Sequence, residues 1–384
     1  MDVPTFFLFG IDIIRFLIDL GTAYTLYLVV SLTLNLEAGF SGVPNFGKVM
    51  FVAAGAAAAG SVSGRLAAVI LAVNTRGNFI QYNLQVVTDI NASLTNNIAL
   101  SFGLLLFGVL LAGLIGAVLG FVASYPAVRL REDYLGMLLL AGAQLFQIFL
   151  GGYAPLIGGS EPLSVPDVFA WAEIGVEVRD VVVLVFFSIF AVLVYLYVER
   201  IARSPLGRTL RAVRDNEVAA RALGKDDAAL RRDVIIVASA ISAVAGAFLT
   251  FYVGSVTAET WTRIEWTFWI WVMLVIGGAA NNAGVALGAF SFTFLFKAVE
   301  QGRTYFQGYI PFDVNWLEYL MFASLLILIL AFRPGGIVPE KSSSTLPWRT
   351  LAEIIETKPR NTTPLSGELE LSKSQKANKT DRPG

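Results

Sequence analysis

The sequence contains neither cysteine nor histidine. Without cysteine the chain forms no disulfide and has no thiol chemistry, and without histidine it has no imidazole for acid–base catalysis or metal binding. Charged residues are also scarce, at 15% of the chain against roughly 25% in a soluble domain. These absences exclude a disulfide scaffold and the enzyme and metal sites that depend on histidine or cysteine.

Apolar residues are abundant instead, at 56% of 384 residues with a mean hydropathy of +0.67. A helix crosses a bilayer with about 20 apolar residues, and runs of that kind recur. The ten apolar segments are residues 16–36, 46–60, 62–73, 98–123, 134–152, 181–198, 234–256, 266–279, 284–299 and 317–332. We therefore predict an all-α polytopic membrane protein with about 8–10 transmembrane helices. The short pairs 46–60 with 62–73 and 266–279 with 284–299 could each span or re-enter.

One long charged stretch, residues 199–233, separates two apolar blocks and is called the charged island below. It holds nine Lys and Arg residues and is rich in Ala, Leu and Glu, with no proline after Pro205. That composition predicts helix. Lys and Arg resist translocation, so we expect the island to be cytoplasmic. Such a helix either lies on anionic lipid or docks a soluble partner.

An orientation with the N-terminus inside and alternating segments places 22 Lys and Arg residues in the inner loops and tails and four in the outer loops. We therefore predict that both termini are cytoplasmic. The outer loops at residues 74–97 and 153–180 are each either solvated loop or a docking surface for an external partner. The tail at 341–384 is predicted to be disordered, which leaves 1–340 as the transmembrane domain.

Polar residues inside the apolar regions are candidates for a translocation pathway. Residues 34–47 contain three glycines and a proline, which break helix, and form either a tight turn at the outer surface or a cavity wall. Glu37 in this stretch would be costly if it faced lipid. Gln144 and Gln147 share a helix face and either line a polar path or bond a neighbouring helix. The pathway candidates are Asn35, Asn45, Gln144, Gln147 and Asn281.

Asn281 belongs to a glycine–asparagine break at residues 276–284, which is either a loop or a hinge. No P-loop motif is present, so the chain binds no nucleotide in that way. Intramembrane carboxylates are too few for a persuasive proton relay, which disfavours an ion-coupled secondary transporter. An integral-membrane enzyme would need a carboxylate pair, for which Glu132 and Asp133 are the candidates.

Six stretches in order resemble the LivM-type permeases of branched-chain amino acid ABC importers. They are residues 34–47, 129–135, 156–163, 204–224, 272–289 and 332–338. The resemblance extends from about residue 25 to residue 338 and implies the fold of a type II-like ABC importer permease. Lys48 departs from the His or Gln that the resemblance predicts, and residues 279–282 also depart from it.

The resemblance further implies inward transport of a branched-chain amino acid, or of urea, a short amide or another small polar solute. Its partners would be two cytoplasmic ATPase subunits, a second related permease and an external solute-binding protein. ATP would bind to the ATPase subunits, and this chain would hold no cofactor or metal. Within the island, the implied ATPase-coupling residues are Arg208, Arg211, Arg214, Glu217, Ala219, Ala220 and Gly224. The small residues would fit a groove of the ATPase, and the arginines would frame it.

Overall fold

The structure is a computed structural model that describes residues 7–8, 11–75, 77–130, 132–159, 161–172, 176–306 and 314–340. The chain divides into two compact units, Met1–Glu340 and Lys341–Gly384, and every described residue belongs to the first. The predicted disorder of the tail at 341–384 therefore falls outside the described residues.

Helices form almost all of the described chain. The first part contains the strands β1 (Phe7–Leu8) and β2 (Ile11–Asp12) and the helices α1 (Ile13–Leu34), α2 (Lys48–Ile70), α3 (Asn83–Leu94), α4 (Ile98–Arg129), α5 (Glu132–Gly152) and α6 (Ala154–Ile157). The second part contains β3 (Leu163–Ser164), α7 (Val176–Arg203), α8 (Pro205–Asp215), α9 (Glu217–Ala222), α10 (Asp227–Val253), β4 (Ser255–Val256), α11 (Trp269–Gly277), α12 (Asn282–Phe306) and α13 (Val314–Phe332). Two π-helical segments, Asn35–Phe40 and Ile264–Phe268, continue α1 and precede α11.

Among the described residues, seven helices are long and apolar enough to cross a membrane, and two apolar helices are shorter. The short ones are Ile264–Gly277 and Tyr319–Phe332. This confirms the prediction of an all-α polytopic membrane protein.

The segments 46–60 and 62–73 are one continuous helix, α2, and not two spans or a re-entrant pair. A glycine inside a helix costs only about 1 kcal/mol relative to alanine, so Gly60 does not end it. Gly60 also lies against Val165 and Val256, where a larger side chain would collide. In the second short pair, α11 covers only part of the membrane depth, whereas α12 crosses it.

The bundle has two ends, here called the island end, where α7 stops and α10 starts, and the opposite end. Helix α1 runs towards the island end: Gly21 packs against Leu184 in the first half of α7, and Gly39 is bonded to Arg214 of the island. The predictions that residues 34–47 lie opposite the island, and that the first span starts beside it, are therefore wrong. Counting α2 as two spans added one crossing and reversed everything before it.

The loops at 74–97 and 153–180 pack together at the opposite end. Asn83 in α3 exchanges two hydrogen bonds with the backbone of Ser164, at 3.1 and 2.6 Å. Asn91 accepts a hydrogen bond from the backbone of Asp167 (2.9 Å), and β3 pairs with β4. The described parts of these loops contact one another and form a cap, and many residues of 77–97 remain exposed. The predicted docking role of the cap stays a prediction.

Helices α2, α4 and α10 form the tightly packed centre of the bundle. A β-carbon on Gly246 of α10 would lie 2.0 Å from the carbonyl oxygen of Val52, and one on Gly55 of α2 would lie 1.9 Å from that of Ala243. Backbones this close need glycine, and such small-residue contacts are a usual way for membrane helices to associate. The centre therefore fixes the helices that carry the polar residues described next.

Candidate functional site

The charged island is helical, as its composition predicts, and a polar residue begins each of its helices. Ser204 Oγ accepts from the amide of Gly207 at the start of α8, next to Pro205 in the first turn. Asn216 and Asp226 cap α9 and α10 in the same way, each at 3.0 Å. Side-chain caps satisfy amides that a helix start leaves unpaired, so short helices are stable here.

The inner face of α8 holds the island on the bundle through two arginines. Arg214 donates to the Gly39 carbonyl (2.5 Å) and to the Glu340 carboxylate (2.9 Å). Arg211 forms an ion pair with the same carboxylate (3.3 Å), and its guanidinium lies 5.1 Å from the centre of the Phe40 ring. We call this arrangement of Arg211, Arg214, Glu340 and the Gly39–Phe40 backbone the clasp.

Two opposing effects act on the pKa of Arg214. Burial lowers this pKa, but the hydrogen bonds and charges of Asp215 and Glu340 outweigh burial and place it above the ordinary arginine value. Arg214 is therefore cationic throughout the physiological range, so the clasp does not depend on pH through this group.

Asparagines connect the clasp to the break between α11 and α12. Asn35 accepts from the amide of Ala280 (2.8 Å) and donates to Asn282 (2.8 Å). Asn282 donates in turn to Glu199 near the end of α7 (2.7 Å). Asn281 donates to the carbonyl of Pro339 (3.1 Å). The break is thus bonded to α1, to α7 and to the segment that carries Glu340.

The segment at residues 333–340 also lies against α11 through its backbone. The amides of Ile337 and Val338 donate to the carbonyls of Ile276 (2.9 Å) and Gly277 (3.1 Å). Gly278 has φ of +104°, and a β-carbon on it would lie 2.5 Å from the Val338 carbonyl oxygen, so only glycine fits there. The break is therefore a defined junction and not a loose loop.

A second polar cluster is fully buried where α1 ends and α2 begins. Lys48 Nζ lies 2.7 Å from Glu37 Oε2, and both side chains are 0% exposed. Lys48 also donates to Thr33 (3.1 Å) and Ser242 (3.3 Å), and Asn45 donates to Glu37 (3.1 Å). A buried charge is tolerated when it is paired and hydrogen-bonded. Lys48 and Glu37 are therefore each tolerated in the buried site because the other is present. Glu37 faces Lys48, not lipid.

The structure separates the five pathway candidates into three places. Asn35 and Asn281 lie together at the junction between α11 and α12, while Asn45 lies in the buried Glu37–Lys48 cluster. Gln144 and Gln147 are half-buried on α5, and Gln147 donates to the carbonyl of Ala258 (3.5 Å). Their pathway role stays a prediction.

The coupling candidates divide between two faces of the island. Arg208, Ala219 and Gly224 are exposed, but Arg211 and Arg214 turn inward to the clasp, and Ala220 is buried. The expected outward face of small residues is therefore wrong for Ala220, because one side of α9 packs on its own subunit. Glu217 pairs with Arg231 (3.1 Å) beside a charged groove of about 630 Å³. The coupling role of these residues stays a prediction.

Sequence reasoning missed Glu340, Glu199 and Asn282, which complete these networks. Lys48 stood out in the sequence because the resemblance predicts His or Gln at that position, and Glu37 because a carboxylate facing lipid is costly. No sequence pattern indicated that the two side chains form an ion pair. In the described part of the chain, no three acidic, histidine or cysteine side chains are grouped as a metal site would require.

Comparison with known proteins agrees with this architecture. The family model described as "Branched-chain amino acid transport system / permease component" matches residues 16–330. A "Probable branched-chain amino acid transport permease protein LivM" of Methanocaldococcus jannaschii is 37% identical over 329 residues, which cover 85% of this chain and 94% of that protein. No solved structure matches the chain significantly.

Two further relatives are more distant. Each is called "High-affinity branched-chain amino acid transport system permease protein LivM", one from Salmonella typhimurium and one from Escherichia coli. Both are 26% identical over 345 residues, which cover 84% of this chain and 70% of the relative. The family consists of transport permease subunits and not of enzymes. With a family match over most of its length and nine apolar helices in its described part, the chain belongs to the permease components of branched-chain amino acid transport systems.

Proposed function

We propose that the chain is one of two permease subunits of an ABC importer that moves a branched-chain amino acid into the cell. ATP is bound and hydrolysed on two partner ATPase subunits, and this chain holds no cofactor. The observation that carries the proposal is the clasp: Arg214 bonds both the Gly39 backbone and Glu340, so motion of α8 moves α1 and the α11–α12 junction.

The proposed orientation places the island end in the cytoplasm and the start of α1 outside. Among the described residues outside the buried Glu37–Lys48 pair, eleven Lys and Arg residues lie at the island end: Arg129, Arg200, Arg203, Arg208, Arg211, Arg214, Arg221, Lys225, Arg231, Arg232 and Arg333. Six lie towards the opposite end: Arg15, Arg65, Arg179, Arg263, Lys297 and Arg303. Basic residues favour the cytoplasmic side, which supports this choice. The external solute-binding protein then docks on the cap of α3 and β3–β4.

In the proposed mechanism, an ATPase subunit binds the exposed side of the island at Arg208, Glu217, Ala219 and Gly224. Closure of the ATPases tilts α8, and the clasp passes the tilt to Gly39 and to the junction between α11 and α12. Closely packed helices have few alternative arrangements, so a small tilt selects between two packings and opens the pathway alternately to each side.

Replacement of Ala219 by tryptophan tests the docking face. Ala219 is exposed and helical, so the bulky ring should not unfold the subunit, since surface substitutions usually cost within about 0.5 kcal/mol. We expect solute-stimulated ATPase activity of the reconstituted complex to fall to near the basal rate. Ala323→Trp, at an exposed alanine of α13, is the matched control.

Full solute-dependent activity in Ala219→Trp would contradict the docking face. It would favour an island that lies on anionic lipid, where an added tryptophan strengthens membrane binding. Solute identity is measured on the wild-type complex by uptake of leucine, urea and a short amide. Uptake of urea or the amide without leucine would show that the solute is an uncharged polar molecule and not a branched-chain amino acid.

A further inference from the structure

Glu265 is an exposed carboxylate at membrane depth, outside both sites described above. It lies in the π-helical segment Ile264–Phe268, one turn before Trp269. The Trp269 ring packs on Phe292 (5.0 Å) and Phe322 (4.8 Å), near the middle of α12 and of α13. Since α12 crosses the membrane, Glu265 lies about one helical turn, roughly 5 Å, from the middle of the bilayer.

Within the described residues, the Glu265 carboxylate forms no ion pair and accepts no hydrogen bond; the contact at this residue is from its backbone amide to Thr262 (3.2 Å). Arg263, two residues earlier, does not pair with it. A lone charged side chain facing lipid is costly, and such residues usually face a water-filled cavity or a polar partner. The assembled transporter must supply that environment.

Glu265 lies near the start of a helix. It is in the first turn of the helical stretch Ile264–Gly277, where the positive end of the helix dipole stabilises an anion. Glu265 therefore presents a carboxylate to whatever occupies the adjacent space.

The neighbours of Glu265 define the shape of a matching ligand. Ile264 and Phe268 are 44% and 47% exposed and lie one residue before and three after it, so apolar surface flanks the carboxylate. Two buried indole N–H groups, on Trp266 of this segment and on Trp261 before it, have no acceptor among the described residues. Unpaired buried polar groups are rare in native folds and need an explanation.

We propose that Glu265 binds the ammonium group of the transported amino acid, with the aliphatic side chain of the solute against Ile264 and Phe268. The proposal rests on the proposed function and adds the solute-binding residue to it. An ammonium group beside a branched apolar tail matches this surface, whereas urea and short amides carry no charged group to pair with the carboxylate. The transporter thus selects its solute within the membrane as well as at the external binding protein.

The test compares leucine uptake by the complete reconstituted transporter carrying Glu265→Gln, Glu265→Asp or Glu259→Gln. Glu259 is an exposed acid in the loop between β4 and the segment Ile264–Phe268, and it serves as the control. Loss of a hydrogen bond to a charged group predicts that Glu265→Gln lowers the uptake rate about ten-fold or more. Glu265→Asp should recover part of the rate, and Glu259→Gln should match wild type in both leucine uptake and basal ATPase activity.

The possible outcomes separate this proposal from the proposed function. If the wild-type complex takes up no leucine, the proposed function fails. If wild type transports leucine and Glu265→Gln matches it, the Glu265 site is wrong. If Glu265→Gln instead loses the second permease on co-purification, the carboxylate pairs with a basic residue of that subunit, and the solute site is again wrong.

A second readout does not depend on transport. Because the chain has no cysteine, Glu265→Cys carries a single thiol. We expect it to react with a water-soluble methanethiosulfonate reagent in the assembled complex, because the proposed site is open to water. Ile189→Cys, at an exposed apolar position in the middle of α7, should be unreactive. Reaction at Ile189 but not at Glu265 would overturn the proposal.

Discussion

Few charged side chains lie inside this protein, and those that do connect segments that are far apart in the sequence. Lys48 and Glu37 neutralise each other where two helices meet, and Arg214 bonds a backbone carbonyl and a carboxylate at once. In a protein with 15% charged residues, a buried or half-buried charge needs a specific partner. The partners of each such charge therefore show which parts of the chain are held in contact.

The clasp predicts a non-additive pair of substitutions. Arg214→Ala removes hydrogen bonds to Gly39 and Glu340, each to or from a charged group, and should cost about 1–3 kcal/mol of stability in detergent. Glu340→Gln weakens the same Arg214–Glu340 contact and also the Arg211–Glu340 ion pair, so the double variant should cost less than the sum of the two single variants. The measurement is thermal unfolding of the four proteins of the cycle.

Arg208→Ala is the control for the clasp, because Arg208 is exposed and its side chain forms no ion pair with a described residue. Arg214→Lys is a second probe, since a lysine keeps the charge but lacks the planar fork that reaches two acceptors. Strictly additive effects of Arg214→Ala and Glu340→Gln would show that the two residues do not act as a unit.

Most of the helices could be predicted from the sequence, and the errors have physical causes. Runs of apolar residues located the membrane spans, and the composition of the island predicted its helices. The continuity of α2 through Gly60 did not follow, because a glycine near the middle of an apolar run reads as a break unless its packing partners are known. The clasp did not follow either, since Arg214 and Glu340 are 126 residues apart and no local pattern joins them.

The contact between α2 and α10 predicts a sharp difference between two glycines. A β-carbon on Gly246 would meet the Val52 carbonyl at 2.0 Å, so Gly246→Ala must push the helices apart. Overpacking of this kind typically costs about 1–3 kcal/mol. Gly103→Ala in α4, where no atom lies within 4 Å of the added carbon, should be neutral or stabilising. Equal melting temperatures for the two variants would contradict the close packing of α2 on α10.

At the scale of the whole molecule, one helix decides the sidedness of the N-terminal part. With α2 as a single span, the start of α1 and the cap lie at the opposite end of the bundle. The island and Glu340 lie at the island end. The excess of Lys and Arg at the island end remains when α2 is counted as one span, because the island itself supplies most of these residues. A charge count alone therefore could not distinguish the correct number of crossings from one span more.

Cysteine labelling in intact cells tests both the fold and its proposed orientation, because the chain has no thiol of its own. Cysteines replace Arg208 on the island, Asn96 in the cap and Arg15 at the start of α1, all exposed positions. A membrane-impermeant maleimide should label Asn96→Cys and Arg15→Cys from outside, and Arg208→Cys only after the cells are opened. If Arg15→Cys instead behaves like Arg208→Cys, α1 runs the other way and the single-span form of α2 is wrong. If all three positions exchange sides together, the fold stands, and the cytoplasmic assignment of the island, with its ATPase docking face, is overturned.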